Sequence, residues 1–113
     1  MKITLNGIKW NVSFVMRDEE PDVWGLTVPS RLEIIIRKDL AFDAIRTTVV
    51  HEVVHALIFS LGFAKIDGSH ELLFSEEQTC DFIAMNIGTI HESANRILSY
   101  MEKRYNIVNG GRK

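Results

Sequence analysis

At 113 residues and 12.9 kDa the chain has room for a single domain spanning 1–113, because one hydrophobic core typically serves roughly 100–150 residues. Hydrophobic residues make up 46% and charged residues 25%, a globular balance that excludes a disordered or fibrous chain. The net charge of −2 leaves no basic excess to draw the chain onto phosphate backbones or anionic lipid, so neither nucleic acid nor membrane is an expected partner.

The first third has strand character. Segments 2–5 and 8–16 flank Asn6-Gly7, the dipeptide that best supplies the positive φ angles of a two-residue hairpin turn. Ile8, Trp10, Val12 and Phe14 alternate with Lys9, Asn11 and Ser13, which predicts one buried and one wet face. Segment 16–23 is polar and carries Pro21, so it reads as a loop. Two short strands follow at 24–28 and 32–36, separated by Pro29-Ser30, for three or four strands in one sheet. Trp10 and Trp24 are expected to fill its core.

The remainder reads as helix. Phe42, Ile45, Val49, Val53, Ala56, Leu57 and Ser60 recur at helical spacing, with Asp39 or Asp43 as N-cap and Gly62 as the stop. Val50, Val54, Ile58 and Leu61 make a second side apolar, as expected of a helix packed between layers. Segment 64–73 reads as a loop. Ser75 with Gln78 three residues later forms a capping-box signature opening a helix to about residue 87. Gly88 is expected to interrupt it, with a third helix over 90–105 carrying Ile97, Met101 and Tyr105 on one side.

Inside the first helix stands His51-Glu52-Val53-Val54-His55, an HExxH sequence. Four helical residues rotate by about 400° and rise about 6 Å, so both imidazoles leave the same face and can share one metal. Glu52 is offset by roughly 100°, beside the ligands, where a carboxylate can take a proton from an activated water. Two core histidines and a solvated Glu would be the bland explanation, but three polar groups on an apolar helix need partners. A catalytic zinc needs a third protein ligand. The His found six residues further on in metzincins is missing here, where Leu61 stands.

Glu77 and Asp81 are the better source, four apart on one helix face. The Glu can ligate, while the Asp can accept the other ring N–H of a ligand His and fix its tautomer. Glu76 is the rival ligand, set behind Glu77 because only Glu77 has an Asp one turn later. His91 could reach the site as a ligand or oxyanion donor, and His70 or Glu71 could close over it. The single cysteine, Cys80, cannot form an internal disulfide and suits a reducing compartment. The opening MKITLNGIKW has no apolar leader run, so a cytoplasmic protein is expected.

These two motifs in order resemble the gluzincin branch of the zinc metallopeptidases, with HExxH followed by a separate ExxxD helix. More specifically they are similar to compact phage and prophage zincin-like proteins and to the ImmA/IrrE-type metallopeptidases, whose later helix has the pattern E-x-x-x-(N/D)-x-x-A, here Glu77, Asp81 and Ala84. The likeness covers roughly residues 25–87. It implies an α+β zincin-like fold: a small N-terminal sheet packed on an HExxH helix, a Glu-ligand helix and a C-terminal helix. It also implies an edge strand above the metal that accepts an extended peptide. Residues 32–36, with Ile34, Ile35 and Ile36 as substrate-binding positions, are the expected strand.

The implied activity is zinc-dependent peptide hydrolysis. His51, His55 and Glu77 hold Zn2+, Glu52 is the general base and Asp81 orients a ligand histidine. The substrate or partner is then a protein or peptide. The other reading is a zinc-stabilised phage or prophage protein-binding module without turnover. No Tyr or Arg motif marks a transition-state stabiliser like that of larger gluzincins.

Overall fold

The computed structural model describes residues 1–17, 19, 23–63 and 75–107. Four strands, β1 (Lys2–Leu5), β2 (Ile8–Val15), β3 (Gly25–Val28) and β4 (Glu33–Arg37), form one sheet in the order β1-β2-β4-β3. Two helices, α1 (Phe42–Ser60) and α2 (Glu76–Tyr105), cover it. The architecture is α+β, as the sequence implies.

The β1–β2 hairpin turns at Asn6 and Gly7, whose φ angles are 50° and 78°, the doubly positive pair that a tight hairpin matched to strand twist requires. Cross-strand pairs Ile3↔Trp10, Val12↔Ile34 and Thr27↔Ile34 line up on one face of the pleat. Ile3, Trp10, Val12, Ile34 and Ile36 on that face are all buried. Trp10 sets its ring edge-on to Phe59, 5.9 Å between centroids, and its Nε1–H donates to Ser60 Oγ at 2.8 Å. Asn6 Nδ2 donates to the Ser60 carbonyl at 3.0 Å. The hairpin thereby supplies a partner to a last-turn carbonyl that the helix itself cannot satisfy.

Residue 37 leaves β4 level with Val15, whereas Ser60 ends beside Trp10, so α1 runs antiparallel to β2 and β4. It stops where Gly62 turns left-handed at φ 81°, with Gly62 N–H donating to Phe59 O and Phe63 N–H to Ile58 O, each at 3.0 Å. That pair of bonds is the Schellman arrangement, which only a residue tolerant of positive φ completes at low cost. At its start, α1 is capped by neither aspartate: Ala41 is the N-cap, without a side-chain bond. Asp43 sits in the first turn and pairs with Arg46 at 3.5 Å; Asp39 serves the Arg37 guanidinium instead, at 3.0 Å.

Ser75 begins α2 with a complete capping box: Gln78 N–H donates to Ser75 Oγ at 3.2 Å and Ser75 N–H to Gln78 Oε1 at 2.9 Å. Gly88 does not end this helix, contrary to expectation, and the second and third predicted helices are one element of 30 residues. A mid-helix glycine costs only about 1 kcal/mol against alanine. Ile90, Ala94, Ile97, Leu98 and Met101 immediately beyond are all buried, and their packing outweighs that loss. Phe82 meets Phe63 at 6.0 Å, while Tyr105 lies against Phe14 at 5.5 Å and beneath Lys38 at 4.0 Å. The C-terminal end of α1 therefore meets the start of α2, and the two helices run antiparallel.

Two further expectations change. Trp24 is 54% exposed, because it stands at the sheet margin just before β3 rather than on the inner face. Residues 32–36 do not form an edge strand. β4 pairs with β2 on one side and β3 on the other, so its backbone groups are committed and Ile34, Ile35 and Ile36 cannot take up a peptide by strand addition; Ile34 and Ile36 are core residues. Among the described residues the outer strands of the sheet are β1 and β3. Among the described residues no helix is long and apolar enough to cross a membrane.

Candidate metal centre

Two facts of α1 geometry set the site. Its spacing stacks His51 and His55 one turn apart, and its packing sets Glu52 beside them, under β3. The Nε2 atoms of His51 and His55 are 3.2 Å apart, with ring planes at 69°. Two nitrogens bound at 2.0–2.1 Å to a tetrahedral zinc are separated by about 3.3 Å. The separation is that of a hydrogen bond between the two rings and is also compatible with two corners of a zinc site. His51 is exposed and His55 half-buried, so the shared corner opens outward from the fold.

Glu52 is buried. Its Oε1 accepts a hydrogen bond from Thr27 Oγ1 at 2.7 Å, and its Oε2 lies 3.9 Å from His51 Nε2. One carboxylate oxygen is therefore tied to β3 and the other stands beside the imidazole that would carry the metal. Gly25, two residues before Thr27 on the same strand face, makes room for this contact. A Cβ there would stand 2.6 Å from Thr48 Cγ2, 3.0 Å from Glu52 Cγ and 3.2 Å from Glu52 Oε2. The sequence reading singled out neither Gly25 nor Thr27. A glycine interrupting a strand pattern is the available signal, since it marks close backbone approach.

The α2 residues are not gathered with this pair. Glu77 and Asp81 are both exposed, and among the described residues no group of three or more His, Cys, Asp or Glu side chains is placed to hold a metal. The antiparallel packing explains why. Phe82 lies against Phe63, beyond the end of α1, and Glu77 is five residues further out, about 7 Å along the axis away from His55. Asp81 lines a groove of about 280 Å3 with Phe63, Gln78, Phe82, Met85 and Asn86, at the end of α1 rather than over its histidines. Glu76, Cys80 and His91 are exposed as well, and none joins the pair in a group of three. His70 and Glu71 lie outside the described residues.

Zinc chemistry fits the two imidazoles by spacing and Glu52 by its place beside them. Among the described residues no third His, Cys, Asp or Glu joins them. No family model, curated protein or solved structure matches the chain.

Proposed function

We propose that the chain is a zinc-dependent peptidase of the gluzincin kind, with His51 and His55 as two metal ligands, Glu77 as the third and Glu52 as general base. The observation that carries this reading is the 3.2 Å Nε2–Nε2 separation of the HExxH histidines. It is joined by a Glu52 carboxylate that turns one oxygen toward that corner. When bound, zinc would supply a Lewis acid for the scissile carbonyl and lower the pKa of an attacking water. Glu52 takes the water's proton and passes it to the leaving amine.

Glu77 reaches the histidines only if the start of α2 re-docks along α1. From Glu76 to Met85 the helix buries Phe82 and packs Ile83 partly against the core. Asp81, one turn on, would then be carried to the second ring nitrogen of a ligand histidine. The peptide-holding role expected of Ile34–Ile36 passes to β3. Among the described residues that strand is an outer one, and its Thr27 touches Glu52, so a segment added there would lie along the base.

Metal analysis of untagged protein, beside Glu77→Ala and Glu52→Gln, tests the proposal. One zinc per chain in the wild type is expected, lost or greatly weakened in Glu77→Ala. Glu52→Gln should keep the metal and lose about 100-fold or more in hydrolysis of a mixed peptide substrate. A wild type that takes up no zinc, even when refolded with it, overturns the reading. Stoichiometric zinc with no turnover would turn it to a zinc-stabilised protein-binding module.

A further inference from the structure

Thr27 sits on the inner face of β3, 3% exposed, where a valine would fit the strand and the core equally well. Its hydroxyl has one proton and two acceptors in reach: Glu52 Oε1 at 2.7 Å and the Glu52 backbone carbonyl at 3.2 Å. The nearer, carboxyl oxygen takes it. Two positions earlier, Gly25 leaves out the Cβ that would crowd Glu52 Cγ and Oε2. A donor and a gap on one strand face thus act on the two oxygens of a single carboxylate. Oε1 is held, and Oε2 is kept clear on the side of His51.

We infer that Thr27 is a positioning residue for the general base: its hydroxyl fixes the Glu52 rotamer so that Oε2, not Oε1, is the proton acceptor, with Gly25 providing the space. This rests on the peptidase reading. A buried carboxylate that must accept a proton and release it each turnover works best held in one orientation, since a side chain free to rotate spends time with neither oxygen aimed at the water. Because the tie comes from β3, a peptide bound along that strand would also lie against the element that orients the base.

The test compares Thr27→Val, which keeps shape and removes the proton, with Thr27→Ser, which keeps the hydroxyl. In Thr27→Val, kcat for peptide hydrolysis should fall by about tenfold or more while KM and zinc content stay within about twofold of wild type. Thr27→Ser should recover kcat to within about threefold of wild type. A second readout needs neither metal nor turnover. In zinc-free protein the carboxyl carbon resonance of Glu52, identified by its loss in Glu52→Gln, should move in Thr27→Val and return in Thr27→Ser. Wild-type kcat in Thr27→Val, a kcat loss that serine does not restore, or an unmoved resonance overturns the inference. A wild-type protein without turnover instead removes the peptidase reading, and the positioning role with it; the wild-type control separates that result from failure of Thr27 alone.

Discussion

The α1 half of the candidate centre and the α2 half are built differently. On α1 the two imidazoles are 3.2 Å apart and Glu52 is buried and tied to β3. On α2, Glu77 and Asp81 share a face but stand exposed, and among the described residues neither joins the histidines in a group of three. The same i,i+4 spacing produced both pairs. The difference is in what surrounds them: α1 lies against the sheet through Ile45, Val49, Val53 and Ala56, whereas α2 buries almost nothing before Ile90. A helix sets the spacing of ligands within itself, but bringing two helices to one metal depends on packing between them. Metal binding and the docking of α2 are therefore expected to be coupled.

Three further measurements would break or sharpen that contrast. The largest effect is expected of Gly25→Ala. Its methyl would stand 2.6 Å from Thr48 Cγ2, so β3 or α1 must shift at a cost of about 1–3 kcal/mol, read as a lower urea midpoint. Wild-type stability in this variant would show the α1 half to be as loose as the α2 half. Ser75→Ala removes the acceptor of the α2 capping box and should cost about 1 kcal/mol. The loss should appear as faster amide exchange confined to the first turn of α2, with the β3–α1 junction unchanged. Spread of the effect to Thr27 and Glu52 would mean that the two halves are already one cooperative unit.

The smallest effect concerns Asp39, which lies away from both halves. The hydrogen bond from the Arg37 guanidinium holds its carboxyl below the usual value of 3.8. Because the folded pKa is depressed, the stability it contributes is fully present above the unfolded value and is lost as pH falls through the folded one. Asp39→Asn should therefore be less stable than wild type near neutrality. The gap should close in acid; a gap that persists there would assign the effect to packing.

Legibility followed the range of the interactions. The Asn6-Gly7 hairpin, the alternation of β2 and the Ser75–Gln78 capping box depend on neighbours a few residues away, and each is found where the sequence puts it. The pairing of the HExxH histidines is equally local. Gly88 misled because its local cost is real but is outweighed by distant packing from Ile90 onward. Trp24 misled because a large aromatic residue carries no mark saying which side of a sheet margin it occupies. The strand at 32–36 reads as short and β-branched whether central or at an edge, since both of its partners come from elsewhere in the chain. Thr27 was invisible for a related reason: threonine is an ordinary strand residue until a buried carboxylate lies 2.7 Å away.

By itself, then, the sequence determined the α+β class, the hairpin, both helix starts as regions and the two-histidine face of α1, because backbone dihedral preference and helical period act over a turn or two. The tertiary structure alone decided that β4 is central and β3 an outer strand of the described sheet. It also decided that α2 is continuous and that Glu52 is held by Thr27 beside a glycine gap. Each of these depends on which surfaces meet beyond the reach of a single turn, as where Asn11 pairs with Glu33 or Thr27 meets Glu52, and no local pattern encodes that choice.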